Sequence, residues 1–369
     1  MKDPRLEKLA KSLVNYSVKV QKGQKLIIEG SEQAADLIVA LVREAYRKGA
    51  LPFVRMGNER ISREVLLGVT EEYSKTLCGY VMPMFADSDC YIGIGASYNL
   101  FESADVPSDN KTLHSKFYGR PITDVRCTKP WAILHYPNAS FAQQAQTSLE
   151  AFEDFYFDVC NLDYGKMARA MQPLKELIER TDRVRIVAAD TDLTFSIKGQ
   201  KAEICAGTHN IPDGEIFTAP VKTSINGKIH FNLPSLCKGI VHNDIVLTFK
   251  DGKIIKESSS NTDALTAELN SDEGARYTGE FAFGVNPYIT KAMCDTLFDE
   301  KIAGSIHMAM GNCYDSCPNG NKSQIHWDMI QSHDPKNGGG EIYFDDVLIR
   351  KDGRFVLKEL DALNPENLK

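Results

Sequence analysis

Residues 25–57, KLIIEGSEQAADLIVALVREAYRKGALPFVRMG, decide the fold class. KLIIEG and LPFVRMG are short apolar runs of β character, and between them Ile38, Leu41, Val42 and Ala45 recur at the spacing of one helix face. Ser31 is placed to cap that helix, and Lys48 with Gly49 to end it. Strand, helix and strand in succession form a βαβ unit, whose crossover makes the two strands parallel. Towards the N-terminus, Pro4 followed by Leu6, Leu9 and Leu13 predicts a short amphipathic helix. Towards the C-terminus, CYIGIGASYN (90–99) supplies another strand, while FAQQAQTSLEAFEDFYFDV (141–159) and KMARAMQPLKELIER (166–180) read as helical. Gly93-x-Gly95 lacks the third glycine of the dinucleotide fingerprint, so nucleotide binding has little support there.

Near Thr181 the texture changes. RVRIVAADTDLTFSIKG (183–199) reads as strands, and beyond it the turn signals Asn226-Gly227, Asp251-Gly252 and Asp352-Gly353 sit between β-rich flanks, with a helix beginning near Thr262. The expected architecture is α/β in two domains. Residues 1–180 form an N-terminal α/β domain with a mainly parallel sheet, and 181–369 a C-terminal β-rich α+β domain that carries the chemistry. A length of 369 residues allows two such cores.

Composition narrows the function. A hydrophobic share of 43% with 25% charged residues is that of an ordinary soluble protein, and a net charge of -7 without a basic stripe argues against nucleic acid as the partner. The N-terminus is charged and lacks an apolar signal core, and no apolar run reaches the roughly 18 residues of a membrane span. Nine scattered cysteines, odd in number, fit free thiols in a reducing cytoplasm better than a disulfide framework. Cys313 and Cys317 are spaced too widely for a thioredoxin-type pair and read as loop thiols.

The chemistry concentrates in IAGSIHMAMGNCYDSCPNGNKSQIHWDM (302–329). His307 stands on one apolar run and His326 with Asp328 on another, with a Gly/Asn/Cys-rich loop carrying Tyr314 between them. Two residues apart on a strand means one face, so His326 and Asp328 can converge on a point. Imidazole with carboxylate suits zinc, cobalt or manganese, whereas a purely structural zinc favours thiolates. A surface histidine beside a solvated aspartate gives the same pattern. Glu215 in NIPDGEIFTAP and Glu280 in ARYTGEFAFGVNP are acids in apolar surroundings, which calls for a partner such as a metal or for a hydrated strand end. Asp213 reads as shaping the turn before Glu215, and His209, His230, His242 and His333 as surface residues or supports for a ligand. No Gly-x-Ser-x-Gly elbow, His-Glu-x-x-His helix or P-loop occurs.

Taken in order, DGEIFTAP, TGEFAFGVNP, GSIHMAMGNCY and SQIHWDMI resemble the motifs of the M29 metallo-aminopeptidases, the thermophilic aminopeptidase T type. LAKSLVNYSVKVQKGQKLII and VCNLDYGKMARAMQPLKELIER extend the likeness to the N-terminal half. The resemblance implies metal ligands at Glu215, Glu280, His307, His326 and Asp328 and a catalytic tyrosine at Tyr314. It also implies a homodimer enclosing the active sites. Such a ligand set holds two divalent ions only if a carboxylate bridges them, a role assigned here to Glu280. The ions, zinc or cobalt first and manganese or magnesium as alternatives, activate a water that hydrolyses the N-terminal residue from peptides with a free N-terminus. Tyr314 then serves the oxyanion or the leaving amine. A peptidase or amidase of other specificity and a non-catalytic metal-binding protein are the competing readings. The compact Cys313/Cys317 loop departs from the family pattern and bears on the substrate pocket.

Overall fold

The computed structural model describes residues 3–369. They divide into two compact units, the chain up to Asn161 together with Gly207–Ile211, and Leu162–Ala206 together with Pro212–Lys369.

The first unit is built on the expected parallel sheet. Its strand order is Leu51–Gly57, Lys25–Ser31, Cys90–Gly95, Trp131–His135 and Asn210–Ile211, every pair parallel. The crossover helix Ala35–Arg47 buries Leu37, Ile38, Leu41 and Ala45 as its apolar spacing requires. Ser31 does not cap it. A 3₁₀ turn, Glu32–Ala34, intervenes, and the Ser31 hydroxyl donates instead to the Ala96 carbonyl at 2.8 Å. Gly93 and Gly95 have a packing reason: a Cβ on Gly93 would lie 2.6 Å from the Tyr91 hydroxyl, and one on Gly95 2.8 Å from the His135 ring.

The second unit begins earlier than residue 180. The helix Tyr164–Arg180 belongs to it, burying Met167, Met171, Leu174 and Ile178. Lys175 Nζ donates to the Ala202 carbonyl at 2.5 Å, and Arg180 pairs with Glu359 at 3.0 Å. An amphipathic helix does not itself disclose which core it faces, so a boundary read from the change to β texture falls one helix late.

Two antiparallel sheets make up most of this unit. The eight-stranded one runs Lys253–Ser258, Ile245–Lys250, Asn226–Phe231, Thr191–Ser196, Arg183–Ala188, Gly340–Phe344, Val347–Lys351, Arg354–Phe355. Asp251-Gly252 and Asp352-Gly353 turn its hairpins with both residues at positive φ. Asn226-Gly227 does not. It opens a strand, and Gly227 is needed because a Cβ there would lie 2.1 Å from the Asp192 carbonyl. An unflagged hairpin turns at Asp345-Asp346, where aspartate tolerates the left-handed region that glycine usually takes.

The other sheet has the order His326–Ser332, Ser305–Gly311, Thr278–Gly284, Glu215–Thr218, Ala202–Cys205, antiparallel throughout. Its two central strands, Ser305–Gly311 and Thr278–Gly284, are buried at every residue.

Candidate metal centre

Register explains why five residues scattered over more than a hundred positions meet. Ala309 pairs with both Glu280 and Asp328, His307 pairs with Ala282, Gly311 with His326, and Gly284 with Glu215. Residues directly opposite across antiparallel strands share a face, and so do residues two apart on one strand. Glu215, Glu280, His307, His326 and Asp328 therefore all point from the same face. Ala309 stands between Glu280 and Asp328 in one row, and Ala282 beside His307 in the next. These single-methyl side chains leave a hollow into which the longer acids and imidazoles lean.

The distances are those of one cluster. His307 Nε2 lies 3.0 Å from Glu280 Oε1 and 3.3 Å from Glu215 Oε2, while His326 Nε2 lies 3.5 Å from Asp328 Oδ1 and 3.7 Å from Glu280 Oε2. Both imidazoles are held from behind by main-chain carbonyls. His307 Nδ1 donates to Glu300 at 3.1 Å and His326 Nδ1 to Asn312 at 2.8 Å, and because a carbonyl only accepts, Nδ1 carries the hydrogen and Nε2 faces the acids.

Tyr314 is presented by the loop after Gly311. Asn321 anchors that loop to the carbonyls of Gly274 and Gly311 at 2.9 and 2.6 Å, and Asn319 to those of Pro220 and Thr278, both at 2.8 Å. The Tyr314 ring packs 4.7 Å from the His326 ring and 5.6 Å from Phe217, and the residue is half exposed. Cys313 and Cys317 are free; their sulfurs donate to the carbonyls of Asn321 and Lys201.

Electrostatically the hollow demands a cation. Glu215, Glu280 and Asp328 are buried, and Glu215 Oε2, Glu280 Oε2 and Asp328 Oδ1 accept no hydrogen bond. Such atoms are costly unless a charge compensates them. Burial pushes the Glu280 carboxyl above its usual range against the pull of His307. For His307 burial opposes the charged ring, but Glu280, Glu215 and Asp328 outweigh it and raise its pKa to about 9. His326 rises to about 10, burial being overcome by Asp328 and Glu280, and Asp328 falls to about 2 because the His326 and His307 charges overcome its own burial. Protons on the imidazoles thus stand where a divalent ion would compete for the same donors. Burial and the carboxylates Glu280 and Asp328 push the Tyr314 phenol upward, so it keeps its proton at neutral pH.

Among the described residues, donor atoms within 4.8 Å of one another form three groups: Glu280, His307 and Asp328; Glu215, Glu300 and His307; and Cys205, Asp213 and Glu215. The first two share His307. In the third, burial raises the Cys205 thiol well above its usual pKa, which makes it a poor ligand.

Glu300 and Lys301 were not singled out from the sequence. Asp299-Glu300-Lys301 reads as a solvated charged run, yet Lys301 is fully buried, with Nζ 3.1 Å from Glu215 Oε1 and in contact with Glu300 Oε1. The one available signal was Phe298 and Ile302 on either side. Asp213 shapes its turn as expected, accepting from Gly214 N at 2.9 Å. The other histidines do not support the ligand imidazoles. His230 meets Asp244, His242 meets Ser259 and the Trp327 ring, and His209 packs on Trp131 in the first unit. His333, expected at the surface or beside a ligand, is fully buried and bonded to Gln331.

The family described as thermophilic metalloprotease (M29) matches residues 2–355. The chain belongs to the M29 family. Among curated relatives, aminopeptidase PepS of Streptococcus thermophilus is 25% identical over 91% of this chain and 94% of its own length. Aminopeptidase T of Thermus thermophilus is 24% identical over 84% and 85%. The solved structure of wild-type AmpT from Thermus thermophilus superposes with a TM-score of 0.82 at 22% identity, covering 96% of this chain and 99% of that one, and so shares the fold. Membership of a metalloprotease family makes this M29 chain a peptide hydrolase and implies divalent ions, for which the buried carboxylate oxygens that accept no hydrogen bond are fitting donors.

Proposed function

We propose that this M29 protein is a dinuclear aminopeptidase whose ions are held by Glu215, Glu280, His307, His326 and Asp328, with Glu300 as a further oxygen donor. The observation that carries the reading is the orientation of Glu280. Its Oε1 addresses His307 at 3.0 Å and its Oε2 addresses His326 at 3.7 Å, so one carboxylate faces two imidazoles with a different oxygen towards each. Glu280 would then be placed to bridge two ions, with Glu215 and Glu300 beside His307 and Asp328 within reach of both imidazoles.

Bound there, divalent ions supply Lewis-acid polarisation and an acidified water at neutral pH. The chain's residues do the rest. Main-chain carbonyls fix both imidazoles so that Nε2 faces the acids and would offer its lone pair once an ion displaced its proton. Tyr314, protonated and packed against His326, donates a hydrogen bond to the substrate carbonyl oxygen as it gains charge, or a proton to the departing amine. The substrate class, peptides with a free N-terminus, rests on the names of the relatives, aminopeptidases PepS and T. Zinc or cobalt suits the mixed nitrogen and oxygen donors best, with manganese or magnesium as alternatives. A cytoplasmic location draws support from nine free cysteines, and a homodimer from the motif resemblance to aminopeptidase T. Among the described residues no helix is long and apolar enough to cross a membrane.

The test compares peptides with free and acetylated N-termini after reconstitution of metal-free protein with each ion in turn. Cleavage of the free-amine peptides alone is expected. Equal rates on acetylated peptides would replace the reading with a peptidase or amidase of other specificity.

A further inference from the structure

Lys301 brings an ammonium into the centre from the chain itself. It follows the short helix Thr296–Asp299, and its backbone is tied on both sides: its N–H donates to the Phe298 carbonyl at 3.0 Å, and its carbonyl accepts from Asn286 N at 2.9 Å. Asn286 in turn donates through Nδ2 to the Asp213 carbonyl at 2.8 Å, on the turn that leads into Glu215. The ammonium therefore arrives by a fixed route. None of the side chain is exposed, so Lys301 cannot reach a substrate from where it lies.

What it touches is specific. Nζ takes Glu215 Oε1 at 3.1 Å and contacts Glu300 Oε1, while Glu215 Oε2, the oxygen nearer His307, is left without a hydrogen bond. A carboxylate with both oxygens unengaged tends to chelate an ion through both. A carboxylate with one oxygen held by an ammonium offers only the other. Structural metal sites fill their coordination positions with protein atoms, whereas catalytic ones keep a position open. Partners behind the ligands decide which of these a donor set becomes.

Resting on the dinuclear reading above, we propose that Lys301 is a positioning residue. By holding one oxygen each of Glu215 and Glu300 it keeps both carboxylates to a single donor atom, and so keeps open a coordination position on the His307 side.

Two measurements on the full chain test it. The first is the crystal structure of the zinc-loaded wild-type protein. Glu215 Oε1 is expected to remain on Lys301 Nζ and outside the roughly 2.0–2.2 Å of a zinc–oxygen bond, with Oε2 inside it. Bidentate Glu215 would overturn the inference while leaving the dinuclear reading in place, and a crystal with no zinc at these residues would overturn both.

The second is the visible absorption of the cobalt-loaded protein beside Lys301→Met and Lys301→Gln, with cobalt per chain measured in each. Lys301→Met frees both carboxylates, so cobalt content should persist while absorption per cobalt falls by more than half as the His307-side ion gains ligands. Turnover should fall with it. Lys301→Gln keeps an N–H donor and should restore much of the wild-type absorption. Wild-type absorption and turnover in Lys301→Met at equal cobalt would overturn the proposal. If Lys301→Met does not fold, the zinc-loaded crystal decides alone.

Discussion

Replacing Tyr314 by Phe removes one oxygen and leaves the ring. That ring is what packs 4.7 Å from His326 and 5.6 Å from Phe217, so the loop and the imidazole keep their support. The ring keeps its packing without the hydroxyl, so stability should change by about 1 kcal/mol or less. The phenol keeps its proton at neutral pH, since burial and the nearby carboxylates push its ionisation upward, and it is therefore a hydrogen-bond donor. Loss of one donor aimed at a developing oxyanion costs about 100- to 1,000-fold in kcat, or roughly 2.7–4 kcal/mol of barrier. Steady-state assays on several good peptide substrates, beside metal analysis of the same preparation, should show that loss at unchanged metal content. Near-normal kcat in Tyr314→Phe would refute the donor role. Loss of metal would reassign the hydroxyl to the metal-holding structure.

Other perturbations separate the remaining roles. His326→Ala and Asp328→Ala each delete a donor, so metal per chain measured by elemental analysis should fall together with rate, unlike the tyrosine variant. His333 is held neutral, its pKa pushed down to about 3 by burial and then by Arg350. Unfolded histidine takes its proton near pH 6.5, so below that pH the unfolded state binds the extra proton and stability falls. The fall is at most about 1.4 kcal/mol per pH unit down towards pH 3. His333→Gln should flatten this part of the denaturation profile, and an unchanged profile would refute the assignment. Gly311 has φ +104°, and a Cβ there would lie 2.2 Å from the Ile325 carbonyl. Gly311→Ala should therefore cost about 1–3 kcal/mol, at roughly 2–4 °C of Tm per kcal/mol, read by calorimetry.

The parallel sheet was legible because helix and strand periodicities alternate cleanly in residues 25–57, and the antiparallel half because Asp-Gly turns punctuate it. His326 and Asp328 were legible as one face because strand periodicity is two. What brings Glu215, Glu280 and His307 to that same face is register between strands distant in sequence, fixed by a fully buried sheet; local pattern carries no such information. It could be anticipated only through the M29 resemblance. Lys301 escaped notice for a related reason. A lysine in an Asp-Glu-Lys run is nearly always solvated, and only the fold shows that a backbone clamp draws this one inward. The second unit's first helix and the role of Asn226-Gly227 were misplaced because each depends on which neighbour packs against it.

The central claim is that two divalent ions lie on the Glu280 bridge, and the most direct test is to titrate chelator-stripped protein with zinc or cobalt while reading bound metal and peptidase rate together. The account predicts no activity without metal, saturation at two ions per chain, and full activity only once the second has bound. Full activity in rigorously metal-free protein would contradict it, and a maximum reached at one ion per chain would remove the bridge.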